Sequence, residues 1–125
     1  MSFFSSWFAK KTKTTRFPKV VVGKIVDIEA HPNADRLRLT TVDIGRRLKI
    51  VCGAPNIAIG QLVPVALVGA TLPTGAVIQQ AAIRGVDSEG MLCAADELGV
   101  GDDHSGIIVF EEARIGEPID EYIKH

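Results

Sequence analysis

From Val20 onward, apolar and polar positions fall into short runs, each closed by residues that favour turns. The segment 20–30 is rich in Val and Ile and stops at His31-Pro32-Asn33. Residues 36–44 alternate, with Leu37 and Leu39 assigned to one face and Arg36 and Arg38 to the other. Asp43-Ile44-Gly45-Arg46 reads as a hairpin turn in which Gly45 supplies a positive φ. Residues 47–52 alternate again, Leu48, Ile50 and Cys52 opposite Arg47, Lys49 and Val51. Gly53-Ala54-Pro55-Asn56 then breaks the sheet. Further strands are predicted at 63–68, at 77–83 after the Pro73-Thr74-Gly75 turn, and at 90–94 and 107–110 around an acidic loop. A helical turn is expected at 95–98 and a terminal helix at 118–123, with Pro118 in its first turn.

Short strands with Gly/Pro turns and no alternation with helices predict an all-β sandwich or small barrel. In an OB-type barrel, strands 2 and 3 with the loop between strands 1 and 2 form the usual ligand face. That face is expected to carry Arg36, Arg38, Arg47 and Lys49 outward, with Lys24 joining from the first strand. Like charges side by side destabilise a hairpin unless an anion compensates them. The bland alternative is a solvated edge that resists aggregation.

Residues 1–19 read as a separate basic and aromatic arm, and 20–125 as one domain. Five of the seven aromatics (Phe3, Phe4, Trp7, Phe8 and Phe17) lie in the arm, and Phe4, Trp7, Phe8 and Lys11 fall at helical spacing. Its charges follow the apolar residues, the reverse of a signal peptide. Apolar stretches are interrupted well before the ~18 residues that span a bilayer, so no membrane helix is expected.

The formal charge of −1 conceals a gradient. The arm has five basic groups and no acid, residues 20–85 balance at +3, and residues 86–125 at −9. Local fields therefore say more than the sum. After Phe17 only Phe110 and Tyr122 remain as aromatics. Single-strand binders rely on aromatic stacking worth ~1–3 kcal/mol per base. A nucleic-acid partner of this chain would instead be held by backbone and shape contacts, as folded RNA is.

Enzymatic signatures are weak. Asp102-Asp103-His104-Ser105 holds the residue types of a hydrolase triad, but sequence neighbours rarely reach its geometry. Cys52 and Cys93 lack metal-ligand spacing, so zinc with His31 or His104 is disfavoured and both read as core residues in a reducing cytosol. No phosphate-cradling glycine motif occurs, and no cofactor is expected.

At His31-Pro32-Asn33-Ala34-Asp35-Arg36-Leu37 the chain resembles the tRNA-binding OB domain family, found as appendages of aminoacyl-tRNA synthetases and as small free-standing proteins. Val51-Cys52-Gly53-Ala54-Pro55-Asn56, the segment 64–70, Ile83-Arg84-Gly85-Val86-Asp87-Ser88-Glu89-Gly90-Met91-Leu92-Cys93, and the segment 101–107 are similar to the bacterial phenylalanyl-tRNA synthetase beta subunit near its N-terminus. The resemblance spans about residues 20–117.

It implies a five-stranded OB-fold Greek-key barrel with short helical turns and a C-terminal extension, binding tRNA in the cytoplasm without catalysis. Asn33, Asp35 and Arg36 fall in the first signature, and Arg84, Ser88 and Met91 in the second. The expected tRNA-binding set is Lys24, Asn33, Arg36, Arg38, Lys49, Arg84, Ser88 and Met91. Individual alternatives are an Asx-type turn at Asn33 and Asp35, a backbone partner for Ser88 and a core position for Met91. The chain is expected to be either a free-standing relative or a piece of the subunit, with synthetase subunits as partners in the second case. The competing function is a structural or homodimerisation module with little tRNA affinity.

Overall fold

The computed structural model describes residues 16–123. The helical spacing in the arm, with Lys10, Lys11 and Lys13, lies outside them. Five strands form one antiparallel sheet: β1 (Val20–Ala30), β2 (Arg38–Asp43), β3 (Arg47–Cys52), β4 (Leu62–Leu67) and β7 (Gly90–Leu92), in the order β3-β2-β1-β4-β7. β5 (Ala81–Ile83) and β6 (Val86–Ser88) make a separate hairpin.

The long strand β1 makes the barrel possible. Its first half pairs with β4, from Val20↔Ala66 to Lys24↔Leu62. Its second half pairs with β2, from Lys24↔Asp43 to Ala30↔Arg38, with a bulge between Ile25 and Asp27. Bulges bend and twist a strand, which lets one strand serve both walls. Gly23 sits at the handover, where a Cβ would lie 2.5 Å from Val42 Cγ1 and 2.6 Å from Val65 Cγ2. Only glycine lets the walls approach this closely.

Closure falls between β3 and the chain entering β7. Glu89 N–H donates to the Lys49 carbonyl at 2.8 Å, and Glu89 Oε1 accepts from Lys49 N–H at 2.8 Å. Ser88 Oγ accepts from Val51 N–H at 3.0 Å and donates to the Gly90 carbonyl at 3.1 Å. Side-chain oxygens thus stand in for the carbonyls that a regular strand would offer β3. The result is an OB-like barrel.

Two apolar clusters divide the interior. Ile25, Val42, Leu48, Ile50, Val63 and Val65 belong to the one inside the barrel. Phe17, Val22, Ala66, Cys93, Leu98 and Ile119 belong to the other, beneath the C-terminal extension. β1 and β4 contribute to both, so their apolar residues run on without strict alternation. Both cysteines are buried, as expected.

The C-terminal part is less regular than the sequence pattern suggests. Segment 107–110 makes only isolated bridges, Ala94↔Ile107 and Leu62↔Phe110, and the terminal helix is one 3₁₀ turn at Ile119–Glu121. Asn56 holds the extension to the barrel: Nδ2 donates to the Ile107 carbonyl and Oδ1 accepts its N–H, both at 3.0 Å. The strand expected over 77–83 is confined to Ala81–Ile83, with a single bridge from Val77 to Thr71. Its partner β6 had no signal, because three-residue strands are too short for periodicity to register.

Replacing Ser88 by Ala leaves the Val51 N–H buried without its acceptor. We expect Ser88→Ala to lower unfolding free energy by about 1–3 kcal/mol in urea titrations. An unchanged midpoint and slope would show that this bond does not close the barrel.

Candidate nucleic-acid interface

The two signature segments, some fifty residues apart in sequence, meet at one end of the barrel. His31 Nε2–H donates to the Ile83 carbonyl at 2.9 Å, and His31 Nδ1 accepts from Asn33 N–H at 2.9 Å. Asn33 Nδ2 donates to the Arg84 carbonyl at 3.1 Å. The loop between β1 and β2 is therefore bonded to the turn between β5 and β6. On its other side, Leu37 lies against Gly53, and Arg38 Nη2 donates to the Ala54 carbonyl at 3.2 Å.

Arg84 and Gly85 form the two-residue turn with φ of 53° and 87°. Positive φ at both central positions suits a tight hairpin and normally selects Asn-Gly or Gly-Gly. An arginine there costs about 1 kcal/mol of backbone strain. Its side chain projects from the hairpin tip and is exposed, as is that of Arg36. Among the described residues neither guanidinium donates a hydrogen bond or forms an ion pair; the one ion pair is His104–Asp96.

The expected row of outward cations on β2 and β3 does not exist. Directly paired residues share a face, and Arg38 pairs with Cys52, whereas Lys49 pairs with Thr41 and Arg47 with Asp43. Arg38 thus lies in phase with the barrel interior, at its end. The phase was misassigned because Thr40, a polar residue, occupies the core: it is fully buried, its hydroxyl donating to the Ile50 carbonyl at 2.7 Å. The true outer face carries Lys24, Arg47 and Lys49 among Asp27, Glu29 and Asp43, a balanced set. Lys49 Nζ is tied to Thr41 Oγ1 at 2.8 Å. A cavity of about 460 Å³ lies on this face, bordered by Leu39, Lys49, Val51, Val86, Asp87 and Glu89.

The expected residues therefore separate. Asn33, Arg36, Arg38 and Arg84 gather at the barrel end, while Lys24 and Lys49 lie on the balanced outer face. Ser88 is buried and both roles of its hydroxyl are taken up in barrel closure. Met91 is half-buried against the second core cluster. Sequence reasoning passed over His31 as a positioning group. A histidine two residues before a loop amide can cap that amide, but its second partner lies 52 positions away.

A cleft of about 290 Å³ separates the loop after β3 from the acidic loop, bordered by Cys52, Gly53, Glu97, His104 and Ile107. Burial pushes the Cys93 thiol up to about 12 and raises the Cys52 thiol as well, so both stay protonated and weakly nucleophilic. Ser105 Oγ donates to Asp103 Oδ1 at 2.6 Å, while His104 Nδ1 bonds to Asp96. Serine and histidine thus have separate partners, and no nucleophile–base relay forms. No metal-ligating cluster occurs among the described residues. No helix among them is long and apolar enough to cross a membrane.

Residues 20–118 match the family model described as "Putative tRNA binding domain". The phenylalanine–tRNA ligase beta subunit of Chlorobaculum tepidum is 52% identical in an alignment 113 positions long that covers 85% of this chain and 14% of that subunit. The same subunit of Nitratidesulfovibrio vulgaris is 56% identical in an alignment 100 positions long that covers 78% of this chain and 12% of the relative. The chain therefore spans a small part of the length of these relatives. The C-terminal domain of Plasmodium vivax p43 superposes with a TM-score of 0.56 at 22% identity, covering 82% of this chain and 58% of that one. A MetRS-related protein from Pyrococcus horikoshii gives a TM-score of 0.55 at 20% identity, covering 90% and 93%. At such identities these two similarities concern the fold alone.

The hydrogen bond that His104 donates to the Asp96 carboxylate raises its titration above the ordinary imidazole value of about 6.5. A raised folded-state value stabilises the loop fully at pH below the ordinary value, and the effect vanishes as pH rises through the folded value. In NMR titrations His104 should titrate above 6.5, and Asp96→Asn should bring it down. An unshifted midpoint in the parent protein would contradict the pairing.

Proposed function

This chain belongs to the tRNA-binding domain family, and from that premise we propose that it is a non-catalytic, cytoplasmic module for folded tRNA. It would serve either as a free-standing protein or as the N-terminal part of a phenylalanyl-tRNA synthetase beta subunit. The observation that carries the reading is the pair of exposed, unpaired arginines, Arg36 and Arg84, on two segments bonded to each other at one barrel end.

A guanidinium presents planar forked donors that match phosphate oxygens, and it stays charged at all relevant pH. Two such forks on tied segments present a fixed spacing, which suits a folded backbone better than a flexible strand. Only Phe110 and Tyr122 follow Phe17 as aromatics, and they lie near each other with ring centroids 6.0 Å apart, away from this end. Base stacking is accordingly assigned no role. Arg38, Lys24 and Lys49 would contribute secondary attraction, whereas Asn33, Ser88 and Met91 act through the fold that holds the arginines. The acidic residues 86–125 would repel phosphate and confine RNA to one face. Arm residues 1–19, if they act as a unit, would add non-specific attraction.

Filter binding of tRNA between about 50 and 200 mM salt tests this reading. Arg36→Ala and Arg84→Ala should each weaken binding several-fold and reduce the magnitude of the salt slope by about 1. Arg47→Ala, on the balanced face, should change both much less. Parent-like affinity and slope in both arginine variants would overturn the assignment.

A further inference from the structure

We infer that His31 is a positioning residue for tRNA binding: it holds the turn carrying Arg84 against the loop carrying Arg36 before RNA arrives. The inference rests on the tRNA-binding reading above and adds to it a residue that touches no RNA.

The geometry determines how the imidazole works. A carbonyl only accepts, so the bond to Ile83 puts the ring proton on Nε2. Nδ1 then carries a lone pair, which takes the Asn33 N–H. Both nitrogens are used, and the ring is only 6% exposed, so solvent competes little for either bond. Asn33 extends the contact by one residue, its side-chain amide reaching the Arg84 carbonyl. Two successive carbonyls at the hairpin tip are therefore held from the β1–β2 loop.

The hairpin needs such an anchor. β5 and β6 have three residues each, β5 pairs only with β6, and an isolated two-stranded hairpin is marginal in water. Ser88 ties the far end of β6 to β3 but leaves the tip unconstrained. An unanchored tip would let Arg84 leave its left-handed conformation and sample many positions. RNA would then have to order it on binding, and that ordering costs affinity. His31 removes the cost in advance.

A double-mutant cycle on tRNA affinity at fixed moderate salt tests this. If His31 acts through Arg84, His31→Ala should cost about fivefold in the parent protein and under about twofold in the Arg84→Ala background. His31→Gln, which keeps a donor for Ile83 at the Nε2 distance, should recover most of the loss; His31→Asn, too short to reach, should not. A purely structural histidine would lower the melting temperature without this coupling or this pattern of rescue. Equal losses in both backgrounds, or no loss in the parent, would overturn the inference. Parent-like affinity in Arg84→Ala alone would instead defeat the Arg84 contact, and the positioning role with it. Should His31→Ala fail to fold by circular dichroism, Asn33→Ala, whose side chain is exposed, runs the same cycle; additive losses there would overturn the inference equally.

Discussion

The open edge of β3 is the constraint on which the rest of this structure depends. A five-stranded sheet can become a barrel only if that edge finds partners, and here the partners are Ser88 and Glu89. Because Ser88 ends β6, closing the barrel also fixes where the β5–β6 hairpin begins. The hairpin must then run across to the barrel end, where His31 and Asn33 meet its tip. Closure and the gathering of arginines are thus two consequences of one set of bonds.

This arrangement changes how the charge of the chain is understood. Cations on the β-sheet face sit among carboxylates and offer little net field. At the barrel end, Arg36 and Arg84 have no carboxylate bonded to them, although Asp35 is adjacent in sequence to Arg36. The strained backbone of Arg84 fits the same picture. A glycine or asparagine would occupy that position at lower cost.

Much of the barrel was legible from residue patterns. β1 and β3 match their expected limits, and Gly45 has the positive φ anticipated for its turn, with its N–H bonded to Asp43. These features are local, and local chemistry determines them. Arg38 was assigned to the wrong face because a buried threonine breaks the rule that polar residues point outward, and only its hydrogen bond to Ile50 satisfies it there. The short β5–β6 hairpin and the bond from His31 to Ile83 were hidden for a different reason. Each depends on a partner whose position follows from barrel closure, which no window of sequence contains. The family motifs marked two segments that the fold bonds together, yet within them Ser88 serves closure while Arg84 projects outward.

The central claim is that tRNA meets this chain at the barrel end, and amide shifts in a 15N-labelled sample on addition of tRNA test it most directly. The account predicts perturbations concentrated at residues 31–38 and 83–86, growing weaker as salt is raised. Perturbations confined to the outer face of β2 and β3, or to the acidic loop at 96–105, would contradict it.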